Sequence, residues 1–404
     1  MKHRLSICLL VFLPMFLLAG CWNKKELTDL AFVAALGIDK GEDGMLIGTF
    51  QIINPSNVAG GLQGGSQGEA STVTVFTSTG KNIVEANRRA SSKVPRLLYY
   101  SHANLLVLGE KLVKEEGLNK VLDALDRDVE FRKTAKVVIA HDTTAEEILR
   151  ISTPIDKVPA NKVVKTLKYS ERQWGGHFSV NLRDILENLT TTGKELVIPS
   201  FKINGDKEEG RSAENVKATT LKAELVADGL ALFKGDKLIG WSNEKEARGI
   251  VWGLNKIKET NITIDWDEKK DAISYQVIKA KTKVKVDMMD GKPVISILVG
   301  TKGDIGETDA PINMKDQDVR DKIDKKVEKK IKRLVHQAVE EAQENGIDIF
   351  GFGEKVYRDH PKAWKNLKRN WNDKHFQELT VKVNVDATIL RTGLRSNPYI
   401  NQID

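Results

Sequence analysis

Two spacings of apolar residues run through this 404-residue chain, and together they predict its elements. Ala31 to Ile38 and Met45 to Ile53 are apolar runs joined by the polar stretch Asp39 to Gly44, the pattern of a hairpin. Thr72 to Thr77 predicts a third strand, Ile83 to Ser91 a helix, Ala103 to Leu108 a buried strand and Lys111 to Leu125 a helix. Val137 to Ala140 follows as a strand. Thr144 opens a helix to Ile151, with Glu147 three residues on completing a capping box. Helices over Lys162 to Gln173 and Leu182 to Leu189 close this region.

A second unit starts near Thr191, with strands over Val197 to Ile203, Leu225 to Phe233 and Lys237 to Trp241 and a helix from Glu244 to Lys256. The polar stretch Asn204 to Lys217 predicts a surface loop. In the last unit, Ile264 to Trp266, Ile273 to Val286 and Val294 to Val299 are strand-like, with Asp290-Gly291 as the hairpin turn. Thr282, Val284 and Val286 alternate with Lys281, Lys283 and Lys285, so one face of that strand is basic. From Lys315 to Asn345, the residues Val319, Ile323, Val327, Ile331, Leu334, Val335, Ala338, Val339 and Ala342 form one stripe of a long helix, ended by Gly346. Lys322, Lys325, Lys326, Lys329, Lys330, Lys332 and Arg333 crowd its polar side, a face to be solvated or to meet acidic headgroups or a partner. A short helix to His360, a helix from Pro361 through Trp371 and a strand over Leu379 to Leu390 complete the chain. The expected fold is α+β in several domains: 21–190 as an N-terminal α/β or α+β domain, 191–262 as a small sheet-plus-helix unit, and 263–404 as a strand-rich sheet on one long amphipathic helix.

The first 20 residues stand apart from this pattern. A basic start at Lys2, His3 and Arg4 precedes an apolar run from Leu5 to Gly20, too short to span a bilayer and laid out as a signal peptide. It ends in Leu18-Ala19-Gly20-Cys21, which resembles the bacterial lipobox, so Cys21 is expected to carry a diacylglyceryl group and to become the first residue of the mature chain. Acyl chains contribute about 0.8 kcal/mol per buried methylene, enough for two or three of them to hold a protein at a membrane. Composition agrees with an exported body: the only other cysteine, Cys8, leaves with the signal, which removes disulfides and thiolate metal sites from the expected repertoire. The mature chain carries 61 basic and 56 acidic residues, or +5, a mild excess that suits an anionic membrane surface and does not call for nucleic acid.

No catalytic motif emerges. Six histidines remain after export, His102, His141, His177, His336, His360 and His375, none at a recognised metal-ligand spacing. No nucleophile elbow, Ser-x-x-Lys or Walker sequence occurs. Gly351-Phe352-Gly353 follows a helix where a dinucleotide fingerprint requires a strand, so its phenylalanines are expected in the core. The glycines between Gly60 and Gly68 lack the Gly-Lys-Ser/Thr of a phosphate cradle. Trp364 and Trp371, seven apart, are expected as a buried stripe, and His102 beside Tyr99 and Tyr100 is the histidine most open to a functional role. No catalytic, cofactor-binding or metal residue is assigned.

As a whole the chain resembles the Ger(x)C family, the C-subunit lipoproteins of spore nutrient germinant receptors. The resemblance rests on Gly20-Cys21-Trp22, Glu26-Leu27, Leu36-Gly37-Ile38-Asp39, Ser101-His102, Arg127-Asp128-Val129-Glu130-Phe131-Arg132, Arg248-Gly249 and Asp348-Ile349-Phe350-Gly351-Phe352-Gly353 with Pro361, Trp364 and Trp371. Asn23 departs from the family's usual aspartate, and the stretch Gly60 to Gly68 is longer than usual. The resemblance implies a three-domain α+β protein on the outer face of the spore inner membrane, without enzymatic activity or cofactor. It also implies assembly with integral membrane A-type and B-type subunits. The rival is a solute-binding lipoprotein of a transport system, which requires two similar α/β lobes about a hinge. The strand-rich last third does not supply a second such lobe.

Overall fold

The computed structural model describes residues 26–59 and 71–392, so the lipobox and Cys21 lie outside the described residues, as does the stretch from Gly60 to Gly68. Among the described residues there are two sheets. The first has nine strands: β1 (Leu30–Lys40), β2 (Leu46–Ile53), β3 (Val73–Gly80), β4 (Leu97–Tyr99), β5 (Leu105–Gly109), β6 (Lys136–Ala140), β7 (Val197–Gly205), β8 (Ala223–Lys234) and β9 (Lys237–Ser242). Their order is β3-β2-β1-β5-β6-β7-β8-β9, with β4 paired to the start of β1. The centre, β1-β5-β6-β7, is parallel, and antiparallel hairpins extend both sides. Strands from the segment expected as a middle unit thus continue the sheet of the first.

Parallel strands covered on both faces must be apolar throughout, and β5 (Leu105-Leu106-Val107-Leu108-Gly109) is buried at every position. Leu105, Val107 and Val138 point to the helices Ala145–Arg150 and Pro159–Gln173. Leu106, Leu108, Val137 and Ile139 point the other way, into a core shared with the helices Ile83–Ala90, Asn119–Arg127 and Leu182–Thr190. The capping box at Thr144 and Glu147 forms as expected.

The second sheet runs β10 (Thr260–Trp266), β11 (Lys269–Met289), β12 (Lys292–Thr308) and β13 (Thr380–Arg391), with β13 parallel to β12. The Asp290-Gly291 turn has positive φ at both residues, +50° and +76°, the geometry that joins twisted strands most directly. The long helix, Gln317–Glu344, lies on one face and buries Ile323, Val327, Ile331, Leu334, Val335, Ala338, Val339 and Ala342. The opposite face is open, and the strands alternate accordingly. A register shift between Val277 and Lys279 exchanges the inward parity of β11, from Ile273, Tyr275 and Val277 to Thr282 and Val286. Lys281, Lys283 and Lys285 therefore stand outward beside Gly300, Leu298 and Ser296.

Three expectations are corrected. The helix expected over Lys111 to Leu125 is two, Glu110–Glu115 and Asn119–Arg127, because Gly117 at φ +82° ends the first and Leu118 N–H turns to the Asp236 carbonyl at 2.9 Å. The expected loop Asn204 to Lys217 contains the helices Lys207–Arg211 and Ala213–Lys217. They are held by buried Asn215, which donates to the Ser152 and Ala223 carbonyls and accepts from Lys222 and Ala223 N–H. The helix opened by Pro361 stops at Leu367 and passes through a 3-10 turn, Lys368–Asn370, into a wider turn over Trp371–His375.

Candidate functional site

Several family-signature residues meet inside the molecule, where they hold backbone N–H groups. Asp39 ends the apolar run of β1 and is 5% exposed. Its Oδ1 accepts from Ala145 N at 2.9 Å and its Oδ2 from Glu146 N at 3.0 Å, so a strand carboxylate caps the first turn of a helix 106 residues away in sequence. Burial outweighs these bonds and pushes its pKa up to about 6. Gly109 makes room for it: a β-carbon there would stand 2.0 Å from Asp39 Oδ1.

Asp348 repeats the device at the other end of the chain. Fully buried, it takes Phe352 N–H at 3.0 Å on Oδ1, and Gly353 N–H at 2.6 Å and Trp371 Nε1 at 2.8 Å on Oδ2. Burial raises its pKa to about 6 against those three donors. Gly351 supplies a left-handed φ of +72° just before the helix Phe352–Asp359. A β-carbon on Gly353 would come within 2.7 Å of Trp371 Nε1. Phe350 and Phe352 stack in the core with centroids 5.4 Å apart, and buried Trp364 and Trp371 meet at 5.1 Å. The aromatic residues are core, as the sequence predicts.

Arg248-Gly249 joins the two sheets. Gly249 lets the helix Glu244–Gly253 touch the long helix, since a β-carbon there would lie 2.2 Å from Leu334 O. The Arg248 guanidinium sits over the Trp174 ring at 4.8 Å and donates to Thr260 Oγ1 at 3.0 Å and to the Asn261 carbonyl. These signature residues bind parts of the fold to one another.

Two histidine sites lie along β7 and β8. His141, just past β6, stacks on Trp241 at 3.9 Å and bonds Asp228 through Nδ1 at 2.7 Å, while Lys202 pairs with the other Asp228 oxygen at 2.8 Å. The Asp228 carboxyl is held below its ordinary range because the Lys202 and His141 bonds outweigh its partial burial. Buried His177 accepts Gly229 N–H at Nε2, 3.1 Å, with Ser170 Oγ 2.9 Å from Nδ1, and burial lowers its pKa to about 4. Asp228 is 87 residues from His141, a pairing without a local sequence signal. His102 packs against Phe32 and Tyr99 rings at 5.5 and 5.9 Å and is exposed.

On the long helix, Lys322 and Lys326 lie over Trp266 at 4.5 and 5.7 Å, and Lys325 pairs with Glu328. Lys329, Lys332 and Arg333 are exposed. Among the described residues, no group of three or more His, Cys, Asp and Glu is placed to hold a metal, and no helix is long and apolar enough to cross a membrane.

The comparisons with known proteins cover the whole molecule. Residues 23–203 match the family described as spore germination protein N-terminal domain, and residues 228–393 the one described as spore germination B3/GerAC like, C-terminal. Spore germination protein KC of Bacillus subtilis is 45% identical over 403 residues, covering 100% of this chain and 99% of that protein. Spore germination protein B3 of the same organism is 27% identical, over 95% of this chain and 96% of that one. The crystal structure of the GerBC protein superposes with a TM-score of 0.55 at 23% identity, covering 88% of this chain and 96% of that chain, which establishes the shared α+β fold. With that end-to-end similarity, the chain belongs to the Ger(x)C family of spore germination proteins.

Proposed function

We propose that this chain is the lipid-anchored C subunit of a nutrient germinant receptor: a non-enzymatic protein held by acylated Cys21 on the outer face of the spore inner membrane. There it assembles with integral membrane A-type and B-type subunits. The observation that carries this reading is the 45% identity to spore germination protein KC along the full length of both chains. The chemistry of the interior supports it. Asp39, Asp348 and His177, the buried groups best suited to acid–base work by their shifted pKa values, are each occupied by backbone N–H donors.

The test is deletion of the gene in the spore-former, followed by germination with a panel of amino acids and sugars and by affinity purification from spore membranes. The reading predicts loss of the response to at least one nutrient and co-purification of two integral membrane proteins. Unchanged germination with every nutrient, together with no membrane partner, contradicts it.

A further inference from the structure

One corner of the first sheet gathers exposed apolar residues where a soluble protein ordinarily places polar ones. Leu30 of β1 pairs with Leu97 of β4, which brings the entry of the chain, Leu27, beside that short strand. Leu27 is 74% exposed and Leu97 57%. Phe32 packs edge to face against both Tyr99 and His102, and none of the three rings is buried. Arg96, exposed, directly precedes Leu97.

The position of this corner is set by covalent geometry. Leu27 is six residues from Cys21, and at 3.3–3.6 Å per residue the two α-carbons are at most about 20 Å apart. A body tethered that closely to a bilayer keeps the residues around its tether within reach of the headgroup layer. Exposed aliphatic residues, half-exposed aromatic rings and a flanking arginine form the composition that the bilayer interface selects.

We infer that the corner formed by Leu27, Leu97, Phe32 and Tyr99, with Arg96 at its margin, rests in the headgroup layer of the membrane and fixes the orientation of the whole molecule on it. The inference rests on the proposed anchoring at Cys21. Its occupant is an anionic phospholipid surface: the apolar tips enter the interface and Arg96 meets phosphate.

The experiment replaces the native anchor, so that failure of acylation and failure of this inference give different results. The mature chain with Cys21→Ser and an N-terminal hexahistidine is held on nickel-chelating vesicles of phosphatidylcholine and phosphatidylglycerol containing brominated acyl chains. A bimane probe is placed by Leu97→Cys, by Tyr99→Cys or, at the β11–β12 turn, by Met289→Cys. The expected result is strong quenching at positions 97 and 99 and little at 289. Without the tether, Arg96→Gln lowers partition onto phosphatidylglycerol vesicles by about fivefold, at roughly 1 kcal/mol per basic residue near an anionic surface. Equal quenching at all three positions, or none at 97 and 99, overturns the inference. Photocrosslinking from these positions to an integral membrane protein in native membranes, combined with unquenched probes on vesicles, overturns it as well and makes the corner a protein interface. Mass spectrometry of Cys21 separately decides the anchoring.

Discussion

The two sheets solve the same problem, burying strands, in opposite ways. The nine-stranded sheet is covered by helices on both faces, so its central strands are apolar at successive positions and leave no surface of their own. The four-stranded sheet is covered on one face, chiefly by the long helix, so its strands alternate and present Lys281, Lys283 and Lys285 on an open face. The difference separates residues that hold the fold from residues free to be read by something outside it. In the central strands of the first sheet nearly every change is felt by the core. In the second, half of each strand is free to vary.

The sharpest way to break this contrast is at the buried carboxylates. Asp348→Ala removes three hydrogen bonds and leaves two buried N–H groups and an indole without an acceptor, so a loss of about 3 kcal/mol or more is expected in urea unfolding. Asp39→Ala, which frees two helix N–H groups, is expected to cost about 2 kcal/mol in the same assay. Gly249→Ala presses a methyl group into the Leu334 carbonyl at the helix crossing and is expected to cost about 1–3 kcal/mol. A smaller effect is one of pH. His177 is depressed to about 4 when folded against 6.5 when free, so between those values this site binds more protons in the unfolded chain and its contribution to stability falls as the pH falls, while Asp39 and Asp348, raised to about 6, contribute in the opposite sense. His177→Gln should remove that one contribution, so its stability relative to the parent chain should rise as thermal unfolding is followed from pH 7 to pH 4. The smallest effect belongs to the open face: Lys281→Glu with Lys283→Glu is expected to change unfolding free energy by no more than about 0.5 kcal/mol. A loss comparable to that of Asp348→Ala there would erase the distinction between the two sheets.

Legibility in the sequence follows the same division. Alternation made β11 and its basic face readable, and the stripe from Ile323 to Ala342 located the long helix to within two residues at its start and one at its end. The capping box at Thr144 and the turn at Asp290-Gly291 were readable because each depends on residues within a few positions. What was hidden is long-range. Asp39 ends a strand, and nothing near it announces that its partners are Ala145 and Glu146. His141 meets Asp228 only because β6, β7 and β8 lie side by side. The break at Gly117 and the helices at 207–217 also depend on distant contacts, to Asp236 in one case and to Ser152 and Ala223 in the other. The signature Asp348 to Gly353 was visible as a motif, but its role in capping a helix and receiving Trp371 required the fold.

The proposed attachment to a membrane depends on one thiol, and the processed amino terminus tests it most directly. Mass spectrometry of the protein extracted from spore membranes should find a chain beginning at Cys21 and carrying a diacylglyceryl thioether. A chain recovered in the soluble fraction with an unmodified Cys21, or one cleaved at another position, would contradict it.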